Sequence, residues 1–387
     1  MRVIGVMSGT SHDAIEVAAA DLTAAGDALQ LRLLGRLSID FDPALHSAVA
    51  AVLPPANTTI EAVCRLDTAL GQAFGAAAAQ ANDQLCAGRA ELVCCHGQTV
   101  FHWVQDGSVR GTLQLGAPAW IAAAPGLPVV TDLRTADITR GGQGAPLVSI
   151  VDRLLLPPAD RPRAALNLGG IANITVIAPD GGAVAFDTGP ANALIDAAVA
   201  DHTSGRECMD RDGARAARGR VVPELLAELL SDPYYARPAP KSTGKELFNI
   251  DYLRRMIPRG TDIDDVIATL TALTAQTLAD ACRSHDLSEL VVSGGGSHNP
   301  VLMDEVERRL GPVRLRPSDE LGVPSDAKEA LAFAVLGYFT VNGIPATIPE
   351  CTGAREAAVL GSITPGADPL RLPDPTPFAP QRLQVTG

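Results

Sequence analysis

The sequence predicts an α/β protein in which one supersecondary beginning occurs twice. Three observations carry that expectation. Short apolar runs rich in β-branched residues alternate with longer stretches whose apolar residues recur every three or four positions, so strands alternate with helices. A strand, a glycine-bearing turn and a second strand open the chain, and the same layout returns near residue 163. At 387 residues the chain is long enough for two domains.

Taken in order, residues 3–7, 14–22 and 29–39 read as strands, separated by SGTSHD at 8–13 and by a Gly/Asp turn. Asn57, Thr58 and Thr59 cap an alanine-rich helical run from Ile60 to about residue 85. A buried strand at 91–95 leads into HGQT at 96–99, and short strands follow at 112–115 and 129–133. The second beginning puts strands at 164–168 and 171–177 around Gly169-Gly170. A strand at 184–186 then passes through DTGP at 187–190 into a helix over 191–200. Residues 262–284 read as a long helix, 290–293 as a strand ending in Gly294-Gly295-Gly296, and 325–338 as an apolar helix. From Pro365 onward the chain is Pro-rich and aperiodic, and it reads as a tail lying on the surface.

Composition excludes several classes of function. With 31 Lys and Arg against 44 Asp and Glu, the net charge of −13 argues against nucleic acid as the main partner. A 47% hydrophobic content supports a large core, and only 4% aromatics means that Ala, Val, Leu and Ile must build it. The seven cysteines contain no C-x-x-C pair, so neither a disulfide framework nor a zinc site is expected, and a reducing cytoplasm is the natural compartment. The N-terminal apolar run is too short for a secretory signal, and residues 330–341 fall short of the roughly 20 residues that cross a bilayer.

Glycine turns after strands are where backbone amides converge on an anion. Four occur, at 5–13, 141–144, 169–170 and 294–297, and none fits the P-loop or the dinucleotide fingerprint. SGTSHD offers successive amides, three hydroxyls and the carboxylate of Asp13, a set suited to a β- or γ-phosphate with its magnesium ion. A hairpin turn with Asp13 bonded to its own backbone is the alternative. Asp187 ends a strand just before a helix, a position that serves a general base or a helix cap. Asp-Thr-Gly also belongs to aspartic proteases, but a second copy is missing and the α/β pattern is wrong for them. His96 and His102 lack further ligands at metal spacing, so His96 reads as a hydrogen-bonding residue at a strand end. Arg134, Asp137 and Arg140 form a polar loop suited to a sugar or an acidic substituent, or else simply solvated. Lys241 and Lys245, in KSTGKE, add two cations or start a helix.

Taken together, the blocks GVMSGTSHD, HGQT, GGQGAPL, NLGGIAN, FDTGPAN, KSTGKE, SGGGSHNP and SDAKEALAF, in this order, resemble those of the anhydro-N-acetylmuramic acid kinases. That family belongs to the superfamily of sugar kinases, heat-shock chaperone ATPases and actin. The resemblance spans nearly the whole chain to about residue 363. It implies a two-lobed actin-like ATPase fold, with duplicated ribonuclease H-like lobes and a cleft that closes over ATP. Residues 1–140 with about 345–364 would form the first lobe, 141–344 the second, and 365–387 a tail.

The resemblance implies that Gly9, Thr10, Ser11, His12, Asp13, Ala14, Ile15 and Glu16, with Gly169 and Gly170, bind the ATP phosphates. Asp13 is the candidate ligand for Mg2+. Gly294, Gly295 and Gly296 would lie by the adenosine, and Asp187 would be the catalytic base. His96, Gln98, Thr99, Arg134, Asp137 and Gln143 are the sugar-binding candidates. The implied reaction turns ATP, water and 1,6-anhydro-N-acetylmuramate into ADP and N-acetylmuramate 6-phosphate, within peptidoglycan recycling. This chain carries Ala14 and Ala191 where that family usually has glycine, and Gly116-Ala117-Pro118 where an Asp often precedes the proline.

Two other functions compete. One is a kinase for a different anhydrosugar such as levoglucosan, which a cation facing the lactyl carboxylate, Arg134 for example, would disfavour. The other is an actin-like or chaperone-like module, which would need an insertion for peptide binding or polymerisation. Small-molecule substrates are expected, with no nucleic acid and no membrane, and the oligomeric state is left open, a homodimer included.

Overall fold

The computed structural model describes residues 1–9, 14–54, 56–244, 247–374 and 379–386. The chain divides into two units, one of residues 1–157 with 327–387 and one of residues 158–326.

In the first unit, β1 (Arg2–Ser8), β2 (Ala14–Ala25) and β3 (Ala28–Asp40) form an antiparallel meander. β1 also runs parallel to β4 (Leu92–Cys95), and β4 parallel to β7 (Val129–Thr131). The core order is therefore β3-β2-β1-β4-β7. It is extended by β13 (Ser362–Thr364) beside β7 and β14 (Arg382–Thr386) beside β3. A separate hairpin, β5 (Gln98–Gln105) with β6 (Ser108–Leu115), projects between β4 and β7 in sequence.

β4 reads Leu-Val-Cys-Cys and is buried throughout, as a parallel strand covered on both faces must be. One cover is the helix Ile60–Cys86, which Thr59 caps by accepting from the Ala62 amide. Its buried Leu66, Leu70, Phe74, Ala77, Ala78 and Ala81 recur at three and four. The other cover is the helix Lys328–Val341, apolar on all sides and almost wholly buried. It lies so close to β1 that a Cβ on Gly5 would come within 1.8 Å of the Ala330 carbonyl oxygen.

The second unit repeats the arrangement. β8 (Arg163–Leu168), β9 (Ile171–Ile177) and β10 (Ala183–Pro190) form the antiparallel meander. β11 (Glu289–Ser293) and β12 (Arg314–Pro317) then run parallel to β8, giving the order β10-β9-β8-β11-β12. This matches β3-β2-β1-β4-β7 strand for strand, directions included, so the duplicated ribonuclease H-like layout expected from sequence is present. The helix Ile263–Ser284 is capped by Asp262 and backs this sheet.

Two expectations change. Residues 141–157 and 327–344, assigned from sequence to the second lobe, lie in the first unit. The helix Lys328–Val341 needs an apolar surface on every side, and β1 with β2 and β4 supplies one. The C-terminal tail is also more than surface chain. β14 adds a parallel strand to β3, its Leu383 is buried, and Arg382 pairs with Asp27 at 3.0 Å. Five residues with Leu and Val alternating against polar neighbours carried that signal, obscured by the prolines before them.

Candidate active site

In the first unit, β1 delivers Ser8 and Gly9 at its carboxyl end. Ser8 is buried and its hydroxyl donates to Gln98 Oε1 at 2.6 Å, while Gln98 Nε2 reaches the Gly9 carbonyl at 3.4 Å. Gln98 therefore braces the carboxyl end of β1 at Ser8 and Gly9. Thr10, Ser11, His12 and Asp13 lie outside the described residues. Ala14 opens β2 opposite Asp40 and is not among the residues of positive φ, so its own backbone does not demand glycine. Ile15 is 2% exposed and packs into the core, so its side chain cannot meet a phosphate. Glu16 is half-buried, and burial raises its pKa although the Ser38 hydroxyl, donating at 2.6 Å, opposes the rise.

Most of the sugar-binding candidates are committed to holding the protein together. Buried His96 donates from Nδ1 to the Gly97 carbonyl at 3.1 Å and accepts at Nε2 from Arg134 Nη2 at 2.6 Å. Those two bonds select the neutral Nδ1–H form, and burial, with the Arg134 charge, pulls its pKa down to about 3. Arg134 also donates to the Gly144 carbonyl at 2.6 Å, and burial lowers its own pKa to about 10. Glu329, whose pKa burial raises, lies within electrostatic reach of Arg134.

Asp137 is completely buried. It accepts from the Gly144 amide and the Thr352 hydroxyl, both at 2.7 Å, and a Cβ on Gly142 would strike its carboxylate. It is the scaffold of the GGQG turn rather than a sugar ligand. The Gln143 amide donates to the Thr352 carbonyl at 2.8 Å. Thr99 and Gln114 are bonded to each other across the hairpin.

In the second unit, Asp187 sits at a β-bulge, where the β9–β10 register shifts between Asp187 and Gly189. Bulges re-aim side chains beside functional sites. The residue is half-buried, and both carboxylate oxygens accept hydrogen bonds, Oδ1 from Asn173 Nδ2 at 2.8 Å and Oδ2 from the Thr243 amide at 2.9 Å. The Asp187 amide donates to the Lys241 carbonyl at 2.9 Å, and the Tyr234 hydroxyl donates to the Asp187 carbonyl at 2.7 Å. Lys241 Nζ donates to the carbonyls of Tyr234 and Tyr235 and lies 4.8 Å from the Tyr234 ring centre. Burial lowers the Lys241 pKa, with Arg237 adding to the effect and Asp187 opposing it. Lys245 and Glu246 fall outside the described residues.

The remaining glycine turns converge on the same sheet. Gly170 accepts at its carbonyl from the amides of Ala191 and Ala193, and Gly169 from Asn192, so the NLGG turn and the DTGPAN segment are tied together. Ala191 has a negative φ, so glycine is not required there. Gly294 has φ +86°, and a Cβ on it would lie 2.4 Å from Asn167 Oδ1. A Cβ on Gly296 would lie 2.9 Å from that of Leu168. A Cβ on Gly295 would meet nothing within 4 Å. The protein's own packing thus dictates two glycines of the three and leaves the third facing open space.

Sequence reasoning assigned no role to Asn173, Tyr234 or Thr243. Asn173 carried a signal, since an amide inside an otherwise apolar strand needs a partner. Among the described residues, no group of three or more His, Cys, Asp or Glu side chains is placed to hold a metal ion, and no helix is long and apolar enough to cross a membrane.

Comparison with known proteins places the chain among the kinases. Residues 1–366 match the model of the family described as anhydro-N-acetylmuramic acid kinase. A protein of that name from Streptomyces coelicolor is 59% identical over 389 residues, covering 100% of both chains. Another from Rhodococcus erythropolis is 55% identical over 397 residues, covering 100% of this chain and 99% of its own. The chain belongs to the anhydro-N-acetylmuramic acid kinase family. Among solved structures, a ROK family glucokinase from Streptomyces griseus covers 87% of this chain and 99% of its own at 15% identity and a TM-score of 0.40, too loose a match to carry an argument.

Proposed function

We propose that this chain opens 1,6-anhydro-N-acetylmuramate with water and phosphorylates it at O6 at the expense of ATP, with Asp187 as the general base. The reading places it in cell-wall amino sugar recycling in the cytoplasm. The observation that carries it is half-buried Asp187, set at a bulge with its carboxylate oriented through both oxygens.

The chemistry of the substrate dictates the role. In an anhydrosugar O6 is bonded to C1 and has no proton, so a base acting on a 6-hydroxyl would have nothing to remove. Asp187 would instead take a proton from water, and that water would attack C1. The C1–O6 bond breaks as the new C1–O bond forms, and O6 accepts the γ-phosphoryl group of ATP while ADP leaves. Glycine turns at Ser8–Gly9 and at Gly169-Gly170 would offer main-chain groups to the phosphates, and Gly295 would lie against the adenosine. The oxygen donors of the SGTSHD turn, Asp13 among them, suit Mg2+, which when bound neutralises phosphate charge. Since His96 and Asp137 are internally satisfied, sugar contacts would fall to Thr99, Gln143 and N–H donors of Arg134 beyond the two that His96 and Gly144 take up.

The test is Asp187→Asn, assayed for ADP release and for 18O from labelled water at C1 of the product. Turnover should fall at least about a thousandfold, the scale of a lost general base, while binding of a non-hydrolysable ATP analogue stays near normal. Turnover within tenfold of the parent enzyme would remove Asp187 from the mechanism.

A further inference from the structure

Asn173 and Asp187 stand opposite each other on β9 and β10, paired in register just before the bulge. An ionised carboxylate only accepts hydrogen bonds, so the group at 2.8 Å from Oδ1 is the Asn173 amide nitrogen and not its oxygen. The second oxygen is held by a main-chain amide, that of Thr243, on a segment tied down separately. Lys241 in that segment accepts from the Asp187 amide and anchors its ammonium on the carbonyls of Tyr234 and Tyr235, at 3.3 and 3.1 Å. The bulge is held open by the same residues. Gly189 has φ +150°, and the Tyr235 ring lies 2.8 Å from where its Cβ would be. Among the described residues, main chain donates to one oxygen of the carboxylate and the Asn173 side chain to the other.

We propose that Asn173 is the positioning residue for Asp187, keeping its carboxylate ionised and turned so that its outward lone pairs meet the reacting water. This deepens the reading of Asp187 as the base and rests on it. A carboxylate bound from one side only would rotate about χ2, and the lone pair facing the water would be lost for much of the time. An N–H donor also favours the charged form, so its removal raises the carboxyl pKa. Among the described residues, Lys241 lies within electrostatic reach of Asp187 and the Tyr234 hydroxyl donates to its carbonyl. Substitution at Asn173 alters none of them.

The test compares Asn173→Ala, Asn173→Asp and Asn173→Ser in the full chain, by steady-state kinetics across pH and by thermal melting. Loss of the donor in the Ala variant should lower kcat about tenfold, the scale of one hydrogen bond to a charged group, with KM for ATP within about twofold. The acid limb of its kcat profile should move up by about one pH unit. The Asp variant preserves shape but sets a second carboxylate against the first, so it should be less active than the Ala variant, with the limb moved further. A serine hydroxyl can donate, so the Ser variant should recover part of the loss, and it carries the test if the Ala variant does not fold. An Asp variant as active as the parent, or acid limbs that do not move, would overturn the proposal and make Asn173 a filler. Those outcomes leave the base reading intact so long as Asp187→Asn is inactive; turnover in Asp187→Asn would sink that reading instead.

Discussion

The three glycines after β11 separate what the fold requires from what a ligand requires, and alanine substitution at each measures the difference. Gly294 has φ +86° and ψ 164°, a region open essentially to glycine alone and costing about 1–3 kcal/mol for another residue. Its Cβ would also lie 2.4 Å from Asn167 Oδ1 and 2.8 Å from the Leu168 carbonyl oxygen, overpacking that costs about 1–3 kcal/mol. Gly294→Ala should therefore destabilise by about 2–6 kcal/mol, which for a unit spanning residues 158–326 lowers its melting temperature by roughly 5–20 °C. Gly296→Ala would meet Leu168 Cβ at 2.9 Å and the Leu168 carbonyl and Asn192 side-chain amide at 3.1 Å as its nearest neighbours, and should cost about 1–3 kcal/mol. Gly295→Ala meets nothing and has an ordinary φ, so it should be neutral or stabilising by about 0.4–1 kcal/mol. If the adenosine lies on it, the same methyl group should weaken ATP about tenfold, since contact with a rigid ligand costs on the scale of overpacking. Differential scanning calorimetry reads the first quantity, and titration with a non-hydrolysable ATP analogue the second. Equal melting losses for all three variants would refute the packing argument. A Gly295→Ala protein of parental stability and parental ATP affinity would take the nucleotide away from this turn.

Two further outcomes follow from the first unit. His96 has a folded pKa near 3, set by burial and by Arg134, against about 6.5 when unfolded. The unfolded chain therefore binds the extra proton between those values, and stability contributed by neutral His96 is present above about pH 6.5 and lost as pH falls toward 3. His96→Asn should flatten the acid side of the stability curve by up to about 1.4 kcal/mol per pH unit between pH 6 and 4, measured by urea unfolding. An unchanged slope would mean the ring is accessible to protons in the folded state. Asp137→Ala should strand the buried Gly144 amide and Thr352 hydroxyl, costing about 2–4 kcal/mol. Hydrogen exchange should then show faster exchange at Gly144 than in the parent protein, and unaltered exchange there would refute the scaffold role.

Much of the architecture was legible because its cause is local. The alternation of strand and helix, the cap at Thr59 and the repeated strand–glycine turn–strand all follow from patterns within a dozen residues. β14 was obscured because its pairing with β3 joins residues more than 350 positions apart, and the hairpin of β5 and β6 because its outer face, with Phe101 and Trp103 half exposed, does not alternate as a buried strand does. The site divided in the same way. Asp187 stood out as an acid closing an apolar run, although β10 continues past it to Pro190. His96 read from its own position as a hydrogen-bonding residue, and so it is, whereas Arg134 and Asp137 looked like ligands because a polar residue in a loop has the same sequence signature whether it faces solvent or the protein.

By itself, then, the sequence determined the duplicated α/β plan, the candidate base and, through its ordered blocks, the family. Only the tertiary structure decided which polar groups are already satisfied: Asp137 by Gly144 and Thr352, His96 by Arg134, Asp187 by Asn173 and Thr243. The reason is that hydrogen-bond satisfaction depends on groups brought together from distant parts of the chain, and local sequence carries no record of which of them meet.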